Sequence, residues 1–191
     1  MRVNYKTREL QIKIVYYGPA LAGKTTNIRQ IFNHVSPDRR SDLTVVDTDG
    51  DRTLFFDYLQ VELGTIGGFT PRINLYTVPG QPIYATTRKI VLRGADAVVF
   101  VADSAPERAD ENRAAWEQLH QHLHALGLAA DLPIVVQWNK RDLPQAMPVP
   151  HLKSLLRLNG HYPTFEAVAV KNLGVRETFE TALRQVFQTT R

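Results

Sequence analysis

Between Gly18 and Thr25 the chain reads Gly18-Pro19-Ala20-Leu21-Ala22-Gly23-Lys24-Thr25. That spacing suits a loop wrapped around phosphate oxygens. The glycines let the backbone curl until several N–H groups point inward, and a helix starting near Gly23 would add its positive dipole end. Lys24 would reach the β- and γ-phosphates, and the Thr25 hydroxyl would ligate Mg²⁺. Ala20, Leu21, Ala22 and Thr26 complete the stretch whose backbone would lie along the ligand. The plainer alternative is a strand-to-helix turn with an incidental lysine. The intact spacing, with a strand before and a helix after, favours the phosphate loop.

A second polar cluster, Asn139-Lys140-Arg141-Asp142, follows the apolar run Ile134-Val135-Val136. Alone it could be a polar cap before Leu143-Pro144. It gains weight at the C-terminal end of a parallel strand, because ligands in such sheets sit outside those ends. A carboxylate at Asp142 can accept two parallel hydrogen bonds from the N1–H and exocyclic amine of guanine. Adenine offers no such pair. His120, His122 and His124 invite a metal reading. On a helix, however, His122 points away from the other two, and no further ligand is evident, so a solvated helix face is favoured. Trp116 and Trp138 read as packing residues.

The elements that must position these groups are visible in the hydrophobic pattern. Leu10 to Tyr17 reads as a strand, and Ile28, Ile31, Phe32 and Val35 mark the helix after the loop, closed by Ser36-Pro37-Asp38. Residues 37–51 are polar and are expected to form an exposed loop whose length suggests a function. Leu54 to Leu63 and Arg72 to Val78 are extended runs joined by a glycine-rich turn, an antiparallel hairpin. Ala97 to Val101 and Ile134 to Val136 fit central parallel strands covered on both faces. Helices are marked by Trp116, Leu119, Leu123 and Leu126, by Leu152, Leu155 and Leu156, and by Val175 to Phe187, with a last strand over Phe165 to Val170. Alternating strands and helices imply a single α/β domain over 1–191. Its sheet should have about six strands, mostly parallel with one antiparallel edge strand, and helices on both faces.

Composition sets further bounds. The chain has 191 residues, 43% of them hydrophobic, with a formal net charge of +4 and no cysteine. That suffices for one sizeable core, and it removes disulfides, thiol catalysis, cysteine metal sites and prenylation. Arg2 excludes N-myristoylation, no run spans a bilayer, and Arg2, Lys6 and Arg8 break up any signal peptide. A cytoplasmic protein without lipid anchor, membrane span or nucleic-acid partner is expected.

On these motifs the sequence resembles the small Ras-like GTPases over nearly its whole length, and within them the MglA-type polarity GTPases of gliding and twitching bacteria. The likeness extends through Lys13 to Pro19, Arg52 to Asp57, Leu75 to Gln81, Val99 to Pro106 and Asn139 to Pro144. It implies a P-loop G-domain that binds GTP or GDP with Mg²⁺. Thr53 matches the threonine that reaches Mg²⁺ and the γ-phosphate, and Gln81 the glutamine that orients the attacking water. Asn139, Lys140 and Asp142 would hold guanine. Val168 and Ala169 lie in the loop whose backbone faces the base, with the Ala169 N–H turned to the guanine carbonyl. Arg52 resembles an arginine finger carried in cis, a group contributing about 10³ to 10⁵ in rate. A solvated arginine beside Asp51 is an equal alternative. The resemblance also implies a polarity or pilus-control output, a Roadblock-fold MglB-like activator and recruitment to cell poles.

Three departures, at Thr77, Ala20 and Val170, suggest a divergent member. Thr77 stands where Ras-like proteins carry a Mg²⁺-associated aspartate, although the MglA-type branch also lacks it. Asp57, on the apolar side of its strand, needs a partner. It is either a hydrogen-bonded core residue or a group that approaches Mg²⁺. Ala20 replaces a glycine in the phosphate loop and should crowd the glutamine and the arginine finger, so slow hydrolysis is expected. Val170 replaces a lysine common in the base loop. The leading expectation is a slow GTPase switch. The rival is a hydrolysis-deficient nucleotide-bound interaction protein, and a P-loop phosphotransferase lacks any visible acceptor site or lid.

Overall fold

The computed structural model describes residues 1–47, 55–80, 84–128, 132–158, 160 and 162–189. The strands are β1 (Arg2–Asn4), β2 (Glu9–Tyr17), β3 (Thr44–Asp47), β4 (Phe55–Glu62), β5 (Thr70–Thr77), β6 (Ala97–Asp103), β7 (Ile134–Asn139) and β8 (Thr164–Glu166). The helices are α1 (Lys24–His34), α2 (Ala85–Leu92), α3 (Ala109–Ala125), α4 (Val149–Leu155) and α5 (Val175–Thr189). The sheet runs β3-β4-β5-β2-β6-β7-β8, with β1 also paired to β2. β5, β2, β6, β7 and β8 are mutually parallel.

The period-2 pattern of the strands divides the core. Ile12, Ile14 and Tyr16 of β2 face α1 and α5 together with Val99 and Val101 of β6. Val15 and Tyr17 face the other way, with Phe100 and Val136, into the layer closed by α2, α3 and α4. β6 and β7 are buried at every position, as expected of central strands covered on both sides. Their carboxyl ends, and that of β2, reach one edge of the sheet, where the loops of interest emerge.

Three expectations need correction. The polar stretch 37–51 is not all loop, since Thr44–Asp47 pairs antiparallel with β4. Thr44, Val45 and Val46 are β-branched and suit a strand, although the residues around them are polar. The antiparallel part of the sheet extends beyond one edge strand, since among the described strands β1–β2, β3–β4 and β4–β5 all pair antiparallel. The last strand also stops at Glu166, and residues 169–171 form a single tight 3₁₀ turn instead of continuing it. There Val168 bonds across the turn to Leu173, and the Ala169 N–H goes to a side chain.

Behind the phosphate-loop region lies a buried polar chain. The Asn27 amide donates to the Gly23 carbonyl at 2.9 Å and to Gln137 Oε1 at 2.8 Å. Gln137 returns a bond to Asn27 Oδ1 and donates to Thr178 Oγ1 at 3.1 Å, and Thr178 donates to the Gly174 carbonyl. All three residues are fully buried. The chain thus links α1, β7 and α5 through groups that cannot turn to water. Gln137→Leu should strand the Asn27 and Thr178 partners and cost about 2–4 kcal/mol. Thermal denaturation should show a midpoint lowered by roughly 5–12 °C; a midpoint within about 2 °C of the parent would contradict the argument.

Candidate functional site

β2 ends at Tyr17 and α1 begins at Lys24, so the six residues between them form the predicted loop. Its shape depends on three left-handed residues, Gly18 (φ 142°), Leu21 (φ 62°) and Gly23 (φ 103°). A side chain at Gly18 would run into the Val101 carbonyl of β6, and one at Gly23 into the Asn139 amide. Both glycines are therefore fixed by close neighbours as well as by their dihedral angles. Ala22 is buried, Ala20 half-buried and Leu21 exposed, while Thr26 follows in the first turn of α1.

Lys24 is nearly buried. Its ammonium donates to the Gly18 carbonyl at 3.0 Å and the Pro19 carbonyl at 2.6 Å. Burial, and then the Arg88 charge, lower its pKa to about 7, against the pull of Asp57. An anion beside it would favour the charged form. The predicted phosphate contact is thus an amine inside the loop, held by two carbonyls at the N-terminal end of α1, where the positive dipole end opposes its charge and an anion would restore it.

Next to it, Thr25, Asp57 and Thr77 form a compact oxygen cluster. Asp57 Oδ2 accepts from Thr25 Oγ1 at 2.5 Å and from Thr77 Oγ1 at 2.8 Å, and the Asp57 N–H donates to Thr77 Oγ1 at 2.9 Å. Asp57 is 7% exposed. It is the hydrogen-bonded carboxylate of the plainer expectation, but its partners are site residues. These three side chains, Lys24, Ala20, Leu21, Gly80 and Tyr84 line a cavity of about 380 Å³. Gly80 rests on the Pro19–Ala20 backbone so closely that no side chain would fit there.

On the other side, Asn139 is buried and both ends of its amide are used. It donates to the Ala22 carbonyl at 2.8 Å and accepts from the Ala169 N–H at 2.9 Å. Ala169, expected to turn its N–H to a base, gives that N–H to Asn139, and Val168 gives its own to Leu173. Lys140, at φ 64°, reaches Asp103 Oδ2 at 2.5 Å. Asp142 is partly exposed, with the Lys171 ammonium 3.5 Å away. Lys171, one residue after Val170, is thus the lysine of this loop that meets Asp142.

Arg52, Thr53 and Gln81 lie outside the described residues. Two of the three histidines depart from the solvated face expected, since His120 packs edge-on against Trp116 and Tyr162, and His122 against Tyr17, while His124 is exposed. Burial lowers the pKa of both. No group of three or more metal-binding side chains occurs among the described residues. Sequence reasoning missed Asp103, which is 1% exposed and holds Lys140, and Arg108, which donates to the Ala20 carbonyl at 2.8 Å. An aspartate ending an apolar strand was a usable signal; the arginine gave none.

A phosphate-type loop and an Asn-Lys-x-Asp cluster meet at one sheet edge, and the whole chain matches a known pattern to the same effect. The family model described as "Arf: ADP-ribosylation factor family" covers residues 2–188. The chain belongs to this family of small GTPases. The mutual gliding-motility protein MglA of Myxococcus xanthus (strain DK1622) is 44% identical to it over 185 residues, 96% of this chain and 94% of that protein. Membership makes the chain a GTP-binding switch protein of a class that hydrolyses GTP and generally binds its nucleotide with Mg²⁺. No helix among the described residues is long and apolar enough to cross a membrane.

The oxygen cluster suits Mg²⁺, a hard cation that takes oxygen ligands and commonly one or two carboxylates. Thr25 and Thr77 alone would supply no charge, and Asp57 supplies it. Asp57→Asn should therefore reduce the gain in GDP affinity produced by millimolar Mg²⁺ by about tenfold or more. Titration with and without chelator measures this, and an unchanged Mg²⁺ dependence would rule the role out.

Proposed function

We propose that this GTPase binds GTP and hydrolyses it slowly, acting as a switch on the machinery of cell polarity and motility. Support for the output comes from the gliding-motility relative at 44% identity. The observation that supports the nucleotide reading is the Asn139 bridge, which ties the phosphate loop at Ala22 to the base loop at Ala169. In this reading Gly18 and Ala20 to Thr26 cradle the phosphates, with Lys24 on the outer ones. Asp142 selects guanine, Asn139 ties the base loop to the phosphate loop, and Lys140, Val168 and Ala169 shape the base pocket. Thr25 and Thr53 would hold Mg²⁺, with Asp57 beside them. The ion would neutralise phosphate charge.

Gln81 would orient the attacking water, and Arg52 would stabilise the charge that develops at the γ-phosphate. GTP would order the segments around Arg52, Thr53 and Gln81, and hydrolysis would release them. A Roadblock-fold MglB-like protein is the proposed activator, and the site of action is the cytoplasm with recruitment to cell poles.

A second reading, a hydrolysis-deficient guanine-nucleotide-binding interaction protein, is favoured by one observation. The Ala20 backbone lies against Gly80, the residue just before Gln81, so a side chain on Ala20 stands at that junction where glycine would carry none. Single-turnover GTP hydrolysis, with and without a purified Roadblock-type partner, separates the two. The parent should turn over slowly and be accelerated by the partner. Ala20→Gly should raise the rate by about tenfold or more, or roughly 1.4 kcal/mol of barrier. Equal rates for parent and variant would remove Ala20 as the brake, and no turnover under any condition would leave the second reading standing.

A further inference from the structure

Arg108 is the residue before α3, at the end of a short 3₁₀ turn, Pro106–Arg108. Its position is set from behind: Asp103 Oδ1 accepts the Ala105 N–H, and the Arg108 N–H bonds to the Ala105 carbonyl. Its guanidinium divides between two partners, Nη1 on Glu111 at 2.8 Å and Nη2 on the Ala20 carbonyl at 2.8 Å.

That carbonyl faces differently from its neighbours. Those of Gly18 and Pro19 turn inward to Lys24, whereas that of Ala20 turns outward to α3. The peptide between Ala20 and Leu21 is trans and planar, so its N–H, on Leu21, points opposite to its carbonyl. An oxygen held on the α3 side therefore turns this N–H to the inner side of the loop. Leu21 keeps a left-handed backbone that disfavours a leucine, and its side chain is 82% exposed, so packing does not hold it there. The charge-assisted bond from Arg108 can.

We propose that Arg108 is a positioning residue for nucleotide binding, fixing the Ala20–Leu21 peptide so that the Leu21 N–H addresses a phosphate beyond the first. This rests on the reading of the Gly18–Thr25 loop as the phosphate site. Ala20 and Leu21 line the cavity that holds Thr25, Asp57 and Gly80, and neither Asn139 nor Asp142 lines it, so the peptide serves the outer-phosphate end. The companion contact, Arg88 to the Pro79 carbonyl at 3.0 Å, fixes the facing segment in the same way.

The test compares GDP with GMP on the purified full chain, by equilibrium titration, with thermal midpoints recorded alongside. Arg108→Ala should lower GDP affinity by about tenfold and GMP affinity by less than about threefold. Arg108→Lys, which keeps a cationic donor, should recover most of the lost ratio. So should Leu21→Gly in the Arg108→Ala background, because glycine takes the left-handed backbone without cost. Glu111→Gln, which removes only the ion pair, should leave the ratio unchanged. An equal loss for both nucleotides, an unchanged ratio in Arg108→Ala, or a loss in Glu111→Gln matching it would overturn the proposal. Failure of the parent itself to prefer GDP over GMP would overturn the phosphate-loop reading too, a failure visible before any variant is made.

Discussion

One buried amide holds the two halves of the site together. Asn139 donates to the phosphate loop at Ala22 and accepts from the base loop at Ala169. Neither bond can be exchanged for water, so each loop constrains the other. Gly23 must lack a side chain because this amide lies against it. Residues as different in role as Ala22, Gly23 and Ala169 thus owe their positions to the same group.

A second, independent set of polar contacts stands behind the first. Asn27, Gln137 and Thr178 connect the helix after the phosphate loop to the helix after the base loop, and do so through β7, the strand that ends in Asn139. Buried polar chains are costly when incomplete and stiff when complete. Here the described bonds run from the Gly23 carbonyl to the Gly174 carbonyl, the two ends of the nucleotide-facing edge. Rigidity on this side contrasts with the Asp57 side, where a carboxylate and two hydroxyls share one oxygen and can rearrange around a cation.

What was legible in the sequence was local. The Gly18–Thr25 spacing and the Asn139–Asp142 cluster could be read directly, because their chemistry lies in consecutive residues. Strand faces followed from alternation, and the parity of Asp57 pointed to a carboxylate turned inward, which it is. The edge strand at Thr44–Asp47 was passed over although Thr44, Val45 and Val46 are β-branched, because so short a run is outweighed by the charged residues on either side. Arg108 looked like any arginine at a helix start paired three residues ahead, and its second bond spans 88 positions. Asn27 and Gln137 each interrupt an apolar pattern, but nothing in one sequence says that they interrupt it for each other. The histidines misled because a helix face that appears polar can still meet aromatic neighbours across the fold.

The Asn139 bridge to Ala22 closes over 117 residues, and its other bond reaches a further 30 toward the C-terminus. The pocket is therefore assembled last. A ribosome that has delivered the phosphate loop has delivered only one wall, and the opposite wall emerges when most of the chain has been made. Contacts this distant in sequence form slowly, since the loop they close must be ordered before they contribute. Nucleotide cannot guide the early sheet; it can only capture a domain whose strands have already found their order.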